Sequence, residues 1–342
     1  MSIKIFVIGD PHFKINNNEE TNEMCTKILQ KINELQPHAV VCLGDVLDRH
    51  ETIHVGPLLR SIQFFQKIAS KYPLYILIGN HDRPSNNVFL TDEHPFTALK
   101  QWKNTVVVDK VYVERIQGKD FLFVPYVPNG RFIEAISMCL GENPDLSSFP
   151  CIFAHQEFKG AKMGAVVSTS GDDWDEAFPL VISGHIHDFD KLGPNIIYTG
   201  TPIQHSFGDQ EDKGVFLFQF SSKGYQYEKY DLGLPKKKIV KINFSEIEFL
   251  KKLDPRSHYK IVISGTPEEL KTLKLGPFLE QLPRSKIVYK TISTLTDKLF
   301  RESNFDKKPF LQILHEELEK VEDFQERKGL IEMYSDIFGR IK

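Results

Sequence analysis

The chain has 342 residues, 41% of them hydrophobic and 26% charged, with a formal net charge of −3. That length accommodates a larger domain and a smaller one, and no apolar run approaches the roughly 20 residues of a membrane-spanning helix. The charge excludes a generally basic nucleic-acid coat, though not a local basic groove. The four cysteines, Cys25, Cys42, Cys139 and Cys151, form no C-x-x-C pair and read as buried, reduced thiols of a cytosol-like compartment.

Ser2–Ile8 runs straight into a glycine and reads as a strand rather than a leader. Ile3–Ile8, Ala39–Leu43 and Leu74–Ile78 are short apolar runs ended by Gly9, Gly44 and Gly79, the pattern of buried parallel strands. Between them, Glu20–Leu35 and Gly56–Lys71 carry apolar residues at helical spacing, such as Ile28, Leu29 and Ile32. From Val106 the pattern turns β-rich, with strands predicted at Val106–Val108, Val111–Ile116 and Phe121–Val124, then a helix over Arg131–Leu140. Further strands follow at Cys151–Ala154, Leu180–Ser183, Asn195–Tyr198, Val215–Phe220 and Tyr225–Tyr230. One simple parallel sheet cannot hold so many strands. The expected fold is therefore α/β, with two packed mixed β-sheets flanked by helices over residues 1–232. Gly233, Pro235 and a lysine triplet mark a boundary at Leu232–Lys238. A smaller α/β domain over 239–292 follows, with strands at Ile239–Asn243, Ile261–Ser264 and Ile287–Lys290 and a helix over Pro267–Lys274. Residues 294–342 read as a helical tail.

Five segments carry the chemistry: Gly9-Asp10-Pro11-His12, Gly44-Asp45-Val46-Leu47-Asp48-Arg49, Gly79-Asn80-His81-Asp82, Ala154-His155 and Gly184-His185-Ile186-His187. Polar residues just after strands lie at the carboxyl edge of a sheet, where open α/β folds bind ligands. Carboxylate, imidazole and amide groups suit borderline divalent metals, and a carboxylate can bridge two ions roughly 3.5–4 Å apart.

These five blocks, in this order over roughly residues 4–220, resemble the calcineurin-like metallophosphoesterase superfamily. The resemblance implies one metal held by Asp10, His12 and His187, a second held by Asn80, His155 and His185, and Asp45 bridging both. It implies that His81 is the catalytic histidine, which protonates the leaving oxygen, and that Asp48 is the acidic partner orienting it. Mn²⁺ is the favoured ion, with Fe²⁺, Zn²⁺ or Mg²⁺ as alternatives. Arg49 would hold a non-bridging phosphate oxygen or form a surface salt bridge, and Asp82 would support the ligands from behind.

A finer resemblance is to the SbcD-like branch, nuclease subunits that partner a coiled-coil, SMC-like ATPase in DNA double-strand-break repair, nearest to the versions of large bacteriophages and related viruses. The segments Ala154–Gly164 and Tyr198–Asp209 carry it, together with the second domain, which would cap DNA. The resemblance implies a homodimeric DNA exo- and endonuclease of the cytoplasm or nucleoid, or of the host cytoplasm if viral. Lys159 and Lys162 would contact phosphate. The alternatives are a stand-alone phosphatase or cyclic phosphodiesterase on a small substrate, and a recombination scaffold with a vestigial site. Some relatives in the branch carry histidine where this chain has Asp48, so Asp48 does not separate nuclease from phosphatase.

Pro235–Lys260 holds eight Lys/Arg against three Asp/Glu, which allows either a phosphate-tracking segment or an ordinary solvated face. In the tail, Phe310, Ile313, Leu314 and Leu318, then Leu330, Met333, Tyr334, Ile337 and Phe338 fall at helical spacings. They would dock on the ATPase's coiled-coil base or pack on the chain's own second domain.

Overall fold

Strand β1 (Ile3–Ile8) shows why the chain builds layers, because both of its faces are apolar. Ile3, Ile5 and Val7 point into one hydrophobic cluster, and Phe6 and Ile8 into another. A strand covered on both sides needs helices on one face and a second sheet on the other. The structure, a computed structural model, describes residues 2–50, 52–164, 166–272, 282 and 292–293.

After β1 come α1 (Asn18–Leu35), β2 (Ala39–Cys42), α2 (Val55–Ala69), β3 (Leu74–Leu77), β4 (Thr105–Val108), β5 (Tyr112–Ile116), β6 (Lys119–Val124) and α3 (Phe132–Leu140). The chain continues through β7 (Ile152–Ala154), β8 (Lys162–Met163), β9 (Val166–Val167), β10 (Val181–Ser183), β11 (Asp190–Leu192), β12 (Ile196–Tyr198), β13 (Val215–Ser221) and β14 (Gly224–Tyr230). The first sheet has the order β14-β13-β1-β2-β3-β4, with β1 to β4 parallel and β13 antiparallel to β1. The second has the order β11-β12-β10-β7-β6-β5, with β6, β7, β10 and β12 parallel and antiparallel strands at both edges.

Between the sheets, Val7, Val41, Phe121, Phe123, Phe153 and Phe218 form a buried core. Phe123 stacks between Tyr75 and Phe153, with ring centroids 4.6 and 5.2 Å away. Helix α1 covers the outer face of the first sheet with Met24, Ile28 and Ile32 on one stripe. It ends where Gln36 turns left-handed (φ 47°) before Pro37, which cannot continue it. On the second sheet, Phe132, Ala135 and Ile136 of α3 cover Leu122, Ile152 and Val181. The fold is thus the α/β sandwich of two mixed sheets with flanking helices that the strand pattern predicts. The short β8–β9 hairpin and β11 carry no such signal: β11 is Asp-Lys-Leu, with no apolar run to mark it.

The chain divides into two compact units, the first built mainly of Met1–Val240 and the second beginning at Lys241. Strands β15 (Lys237–Asn243), β16 (His258–Gly265) and β17 (Ile292–Ser293) form a three-stranded sheet in that order. A short helix, α4 (Pro267–Lys271), is capped by Thr266, whose hydroxyl accepts from the Glu269 amide. The strand expected at Ile287–Lys290, the end of the helix expected over Pro267–Lys274 and the helical tail over 294–342 lie outside the described residues. Among the described residues no helix is long and apolar enough to cross a membrane.

Candidate metal centre

All five blocks emerge at the carboxyl ends of parallel strands: β1, β2 and β3 in the first sheet, β7 and β10 in the second. The turns that follow are tight. A Cβ on Gly79 would lie 2.2 Å from Asp45 Oδ1, and one on Gly184 would lie 2.4 Å from Asp10 Oδ1. Neither position has room for a side chain, so glycine lets the carboxylates close in. His12, Asp45 and His185 adopt positive φ (41°, 46° and 76°), a backbone region that non-glycine residues occupy at a cost and that clusters at functional sites. Asn17, just before α1, secures the first turn by donating from Nδ2 to the His12 carbonyl (3.0 Å) and accepting from the Lys14 amide (2.9 Å).

The structure brings together Asp10, His12 and His187 in one group, and Asp45, His155 and His185 in a second, each with its ligand atoms within 4.8 Å of one another. Asn80 joins the second group, its Oδ1 lying 3.0 Å from His155 Nε2 and 2.9 Å from His185 Nδ1. Asp45 reaches both groups: Oδ1 is 3.3 Å from His155 Nε2, and Oδ2 is 3.8 Å from His12 Nε2.

The donor set fits cations. Carbonyl oxygens only accept, so His12 Nδ1 donates to Leu47 O (3.2 Å) and His155 Nδ1 donates to Leu43 O (2.8 Å). In neutral rings this leaves both Nε2 lone pairs facing inward. His12 Nε2 then confronts His187 Nε2 at 3.1 Å. Asp10 is fully buried; its Oδ2 accepts from the His185 amide (2.8 Å), while Oδ1 has no hydrogen-bond partner. Inward-facing imidazole lone pairs and an orphaned, buried carboxylate oxygen are what a divalent ion satisfies.

The electrostatics agree. Burial pushes the Asp10 carboxyl well above its ordinary range, a penalty that an adjacent cation removes. Asp45 is buried too, but ion pairing and a hydrogen bond with His155, then His12 and His81, hold its carboxyl below the ordinary range. Burial works against charge on His155, yet Asp45 and Asp10 raise it to about 9. Without an ion, a proton on His155 therefore takes over part of the cation's task.

His81 stands beside the groups, with its amide donating to Asp45 Oδ1 (2.9 Å) and its side chain 32% exposed, open to a substrate. The structure corrects the role expected of Asp48. His81 Nδ1 donates to the backbone carbonyl of Asp48 (2.8 Å), not to its carboxylate. That carboxylate is drawn to the Lys14 ammonium at 2.7 Å. Asp82 supports from behind: its carboxylate accepts from the amides of Val46, Leu47 and Gly79 and joins the second and third turns. Burial, then the charge of Asp45, pushes that carboxyl up to about 7 against these donors.

Arg49 is exposed and lines a cleft of about 570 Å³ together with Lys14, His54 and His205. Lys159 and Lys162 are exposed, Lys159 3.6 Å from Asp173 and Lys162 in β8. Two residues here were not anticipated individually, although both lie in segments that the resemblance singled out. Glu157 places Oε2 3.7 Å from His185 Nε2, and its interaction with His185 lowers its carboxyl to about 2. His205 sets its ring edge-on to His12, centroids 4.9 Å apart.

Comparison with known proteins agrees with this geometry. The family described as Calcineurin-like phosphoesterase matches residues 3–189. The chain is 42% identical over 279 residues to "Putative phosphoesterase 244L" of Invertebrate iridescent virus 6, an alignment covering 79% of this chain and 97% of that protein. It is 38% identical over 283 residues to "Putative phosphoesterase 078R" of Invertebrate iridescent virus 3, covering 82% of this chain and 81% of that one. A family match over more than half the chain, two viral relatives and a donor set built for divalent ions lead to one conclusion: the chain belongs to the calcineurin-like phosphoesterase family.

Proposed function

We propose that this phosphoesterase cleaves phosphodiester bonds of DNA, as the nuclease subunit of a homodimeric recombination or repair complex with an SMC-like ATPase. The observation that carries the reading is a cleft lined by Lys14, paired with Asp48, by Arg49 and His54, and by His205, whose ring lies against His12. Cations at that mouth suit a polyanion that continues beyond the cleaved bond. The resemblance of Ala154–Gly164 and Tyr198–Asp209 to the SbcD-like branch supports DNA in particular.

Asp10, His12 and His187 would hold one divalent ion, and Asn80, His155 and His185 the other, with Asp45 shared. When bound, such ions supply Lewis acidity and neutralise charge on the phosphate. The chain's own part falls largely to His81. Its Nδ1–H is fixed on the Asp48 carbonyl, so Nε2 is the atom that carries a proton to the departing oxygen. Glu157, beyond His185, and the carbonyls of Leu43 and Leu47, beyond His155 and His12, keep the imidazoles oriented.

A second reading, a phosphatase or cyclic phosphodiesterase for a small substrate, draws on the size of the cleft, which lies in the range of pockets that enclose one small molecule. Purified protein with Mn²⁺ is given duplex DNA and p-nitrophenyl esters, each with and without a candidate ATPase. Degradation of DNA is the expected result. Vigorous ester turnover with DNA intact in every condition would favour the small substrate.

A further inference from the structure

The imidazoles of the two ligand groups are not all held in the same way. His12 and His155 are each fixed from behind, with Nδ1–H on a backbone carbonyl. His187, whose Nε2 faces His12 Nε2 at 3.1 Å, has no such partner on Nδ1 among the described residues. Aiming that ring falls to its backbone, and the backbone there is gripped. The His187 carbonyl accepts from the Thr201 amide (2.9 Å) and from Lys213 Nζ (2.6 Å). Gly200 makes room for this carbonyl, because a Cβ at that position would lie 2.7 Å from it.

Lys213 is the unusual member of this grip. It is 6% exposed, and lysine is almost never buried unless it is paired. Its ammonium donates to the His187 carbonyl and to Asp188 Oδ1 (2.7 Å), so it spans the peptide bond directly after the ligand. Asp188 Oδ1 also accepts from the Gln210 amide (3.3 Å), which draws the turn before Lys213 onto the same carboxylate. Lys213 stands two residues ahead of β13, and β13 runs antiparallel to β1 with Phe216 opposite Val7. The chain leading into β13 therefore lies beside the turn leaving β1, which carries Asp10 and His12. His187 and Asp188 follow β10 of the other sheet. One buried ammonium thus ties the second sheet's contribution to the first group to the sheet that supplies the other two ligands. Buried and held by two acceptors, Lys213 acts through His187 rather than on a substrate.

We propose that Lys213 is a positioning residue for the first ligand group, holding the His187 backbone so that its imidazole meets the same ion as Asp10 and His12. Asp188 is the counter-charge that lets the ammonium stay buried. The inference rests on divalent ions occupying these groups and does not depend on DNA being the substrate.

The test uses the full-length protein, with calorimetric Mn²⁺ binding as the main readout and turnover of bis(p-nitrophenyl) phosphate and duplex DNA measured beside it. Lys213→Met keeps most of the aliphatic stem and removes the charge. It is expected to weaken one of the two Mn²⁺ ions ~10–100-fold, the range for outer partners of metal ligands, and to leave the other unchanged. Turnover should fall at limiting Mn²⁺ and largely return at saturation. Lys213→Arg, which keeps a charged donor, should recover part of the affinity. Two backgrounds locate the effect. With the second group broken by His185→Ala, Lys213→Met should still weaken the remaining ion; with the first broken by His12→Ala, it should change nothing. If Lys213→Met does not fold, Asp188→Asn, which leaves the ammonium without its counter-charge, takes its place in every arm. Unchanged Mn²⁺ affinities alongside a lowered thermal midpoint would make Lys213 an ordinary staple of the fold and overturn the proposal. Weakened binding in the His12→Ala background would also overturn it. A parent protein that binds no Mn²⁺ would remove the ligand groups themselves and the proposal with them. Intact DNA alongside the expected Mn²⁺ behaviour and diester turnover counts against the nuclease reading alone.

Discussion

His81 Nδ1 lies 2.8 Å from the backbone carbonyl of Asp48, while the carboxylate of the same residue pairs with Lys14 at 2.7 Å. One residue thus serves two neighbours through different atoms, and only the carbonyl holds the His81 imidazole. Asp48→Asn keeps that carbonyl. It should lower kcat less than tenfold, whereas His81→Ala should lower it ~10²–10⁴-fold, the usual span for losing a general acid. Steady-state rates of the two variants at matched metal content decide this. Equal losses would return the orienting role to the carboxylate.

Metal should stabilise the fold as well as enable turnover. Asp10 Oδ1 is buried without a hydrogen-bond partner, and the nearby buried carboxylate of Asp45 adds to the penalty on its charge, so the metal-free site carries an unmet electrostatic cost. A chelator should abolish activity and lower the thermal midpoint. Mn²⁺ at one hundred times its Kd should restore about 2.7 kcal/mol. A midpoint unmoved by chelation would mean that no ion occupies these groups in the folded protein.

Glu157 gives a pH signature. Interaction with His185, then hydrogen bonding from partners such as Asn129, lowers its carboxyl against some desolvation from an ordinary 4.5 to about 2. A carboxyl depressed in the folded state contributes stability above its unfolded pKa and loses it as pH falls through the folded one. Glu157→Gln should therefore be less stable than the parent near neutrality, and the gap should close on acidification from about 4.5 to about 2. Melting curves of the metal-free proteins across that window provide the check. A constant gap would point to lost packing instead.

The interface between the sheets can be probed away from the site. Phe123 is fully buried and stacks between Tyr75 and Phe153. Phe123→Ala should cost ~3–5 kcal/mol, as large-to-small changes of buried aromatics do. Metal content below the new midpoint should be normal, because no ligand touches that ring stack. Denaturant unfolding followed by elemental analysis separates the two effects.

Much of this is legible in the sequence. The seven candidate ligand positions stand after apolar runs, mostly with a glycine at the turn, and the clearances at Gly79 and Gly184 show why those turns admit nothing larger. The number of short apolar runs, more than one parallel sheet can hold, announced two layers, and runs such as Ala39–Cys42 are buried throughout. What escaped notice depends on long-range geometry. His205 meets Asp10 across 195 positions, and nothing local distinguishes it from any histidine in a loop. The spacing of Asp48 from Asp45 could not say whether a carboxylate or a carbonyl would face His81. Strand β11 is too short and too polar to show a period.

Each ligand group draws on both layers. Asp10 and His12 follow β1 and His187 follows β10; Asp45 and Asn80 follow β2 and β3, whereas His155 and His185 follow β7 and β10. An ion bound here would consequently act as a fastener between the two sheets, beside their apolar core. It would add a directional link at the strand ends, where His155 already donates to the Leu43 carbonyl and the His185 amide to Asp10. Amide exchange at Asp10, His12, Gly184 and His187 should therefore quicken together when metal is withdrawn, as a seam opening along its whole length rather than as separate loops loosening.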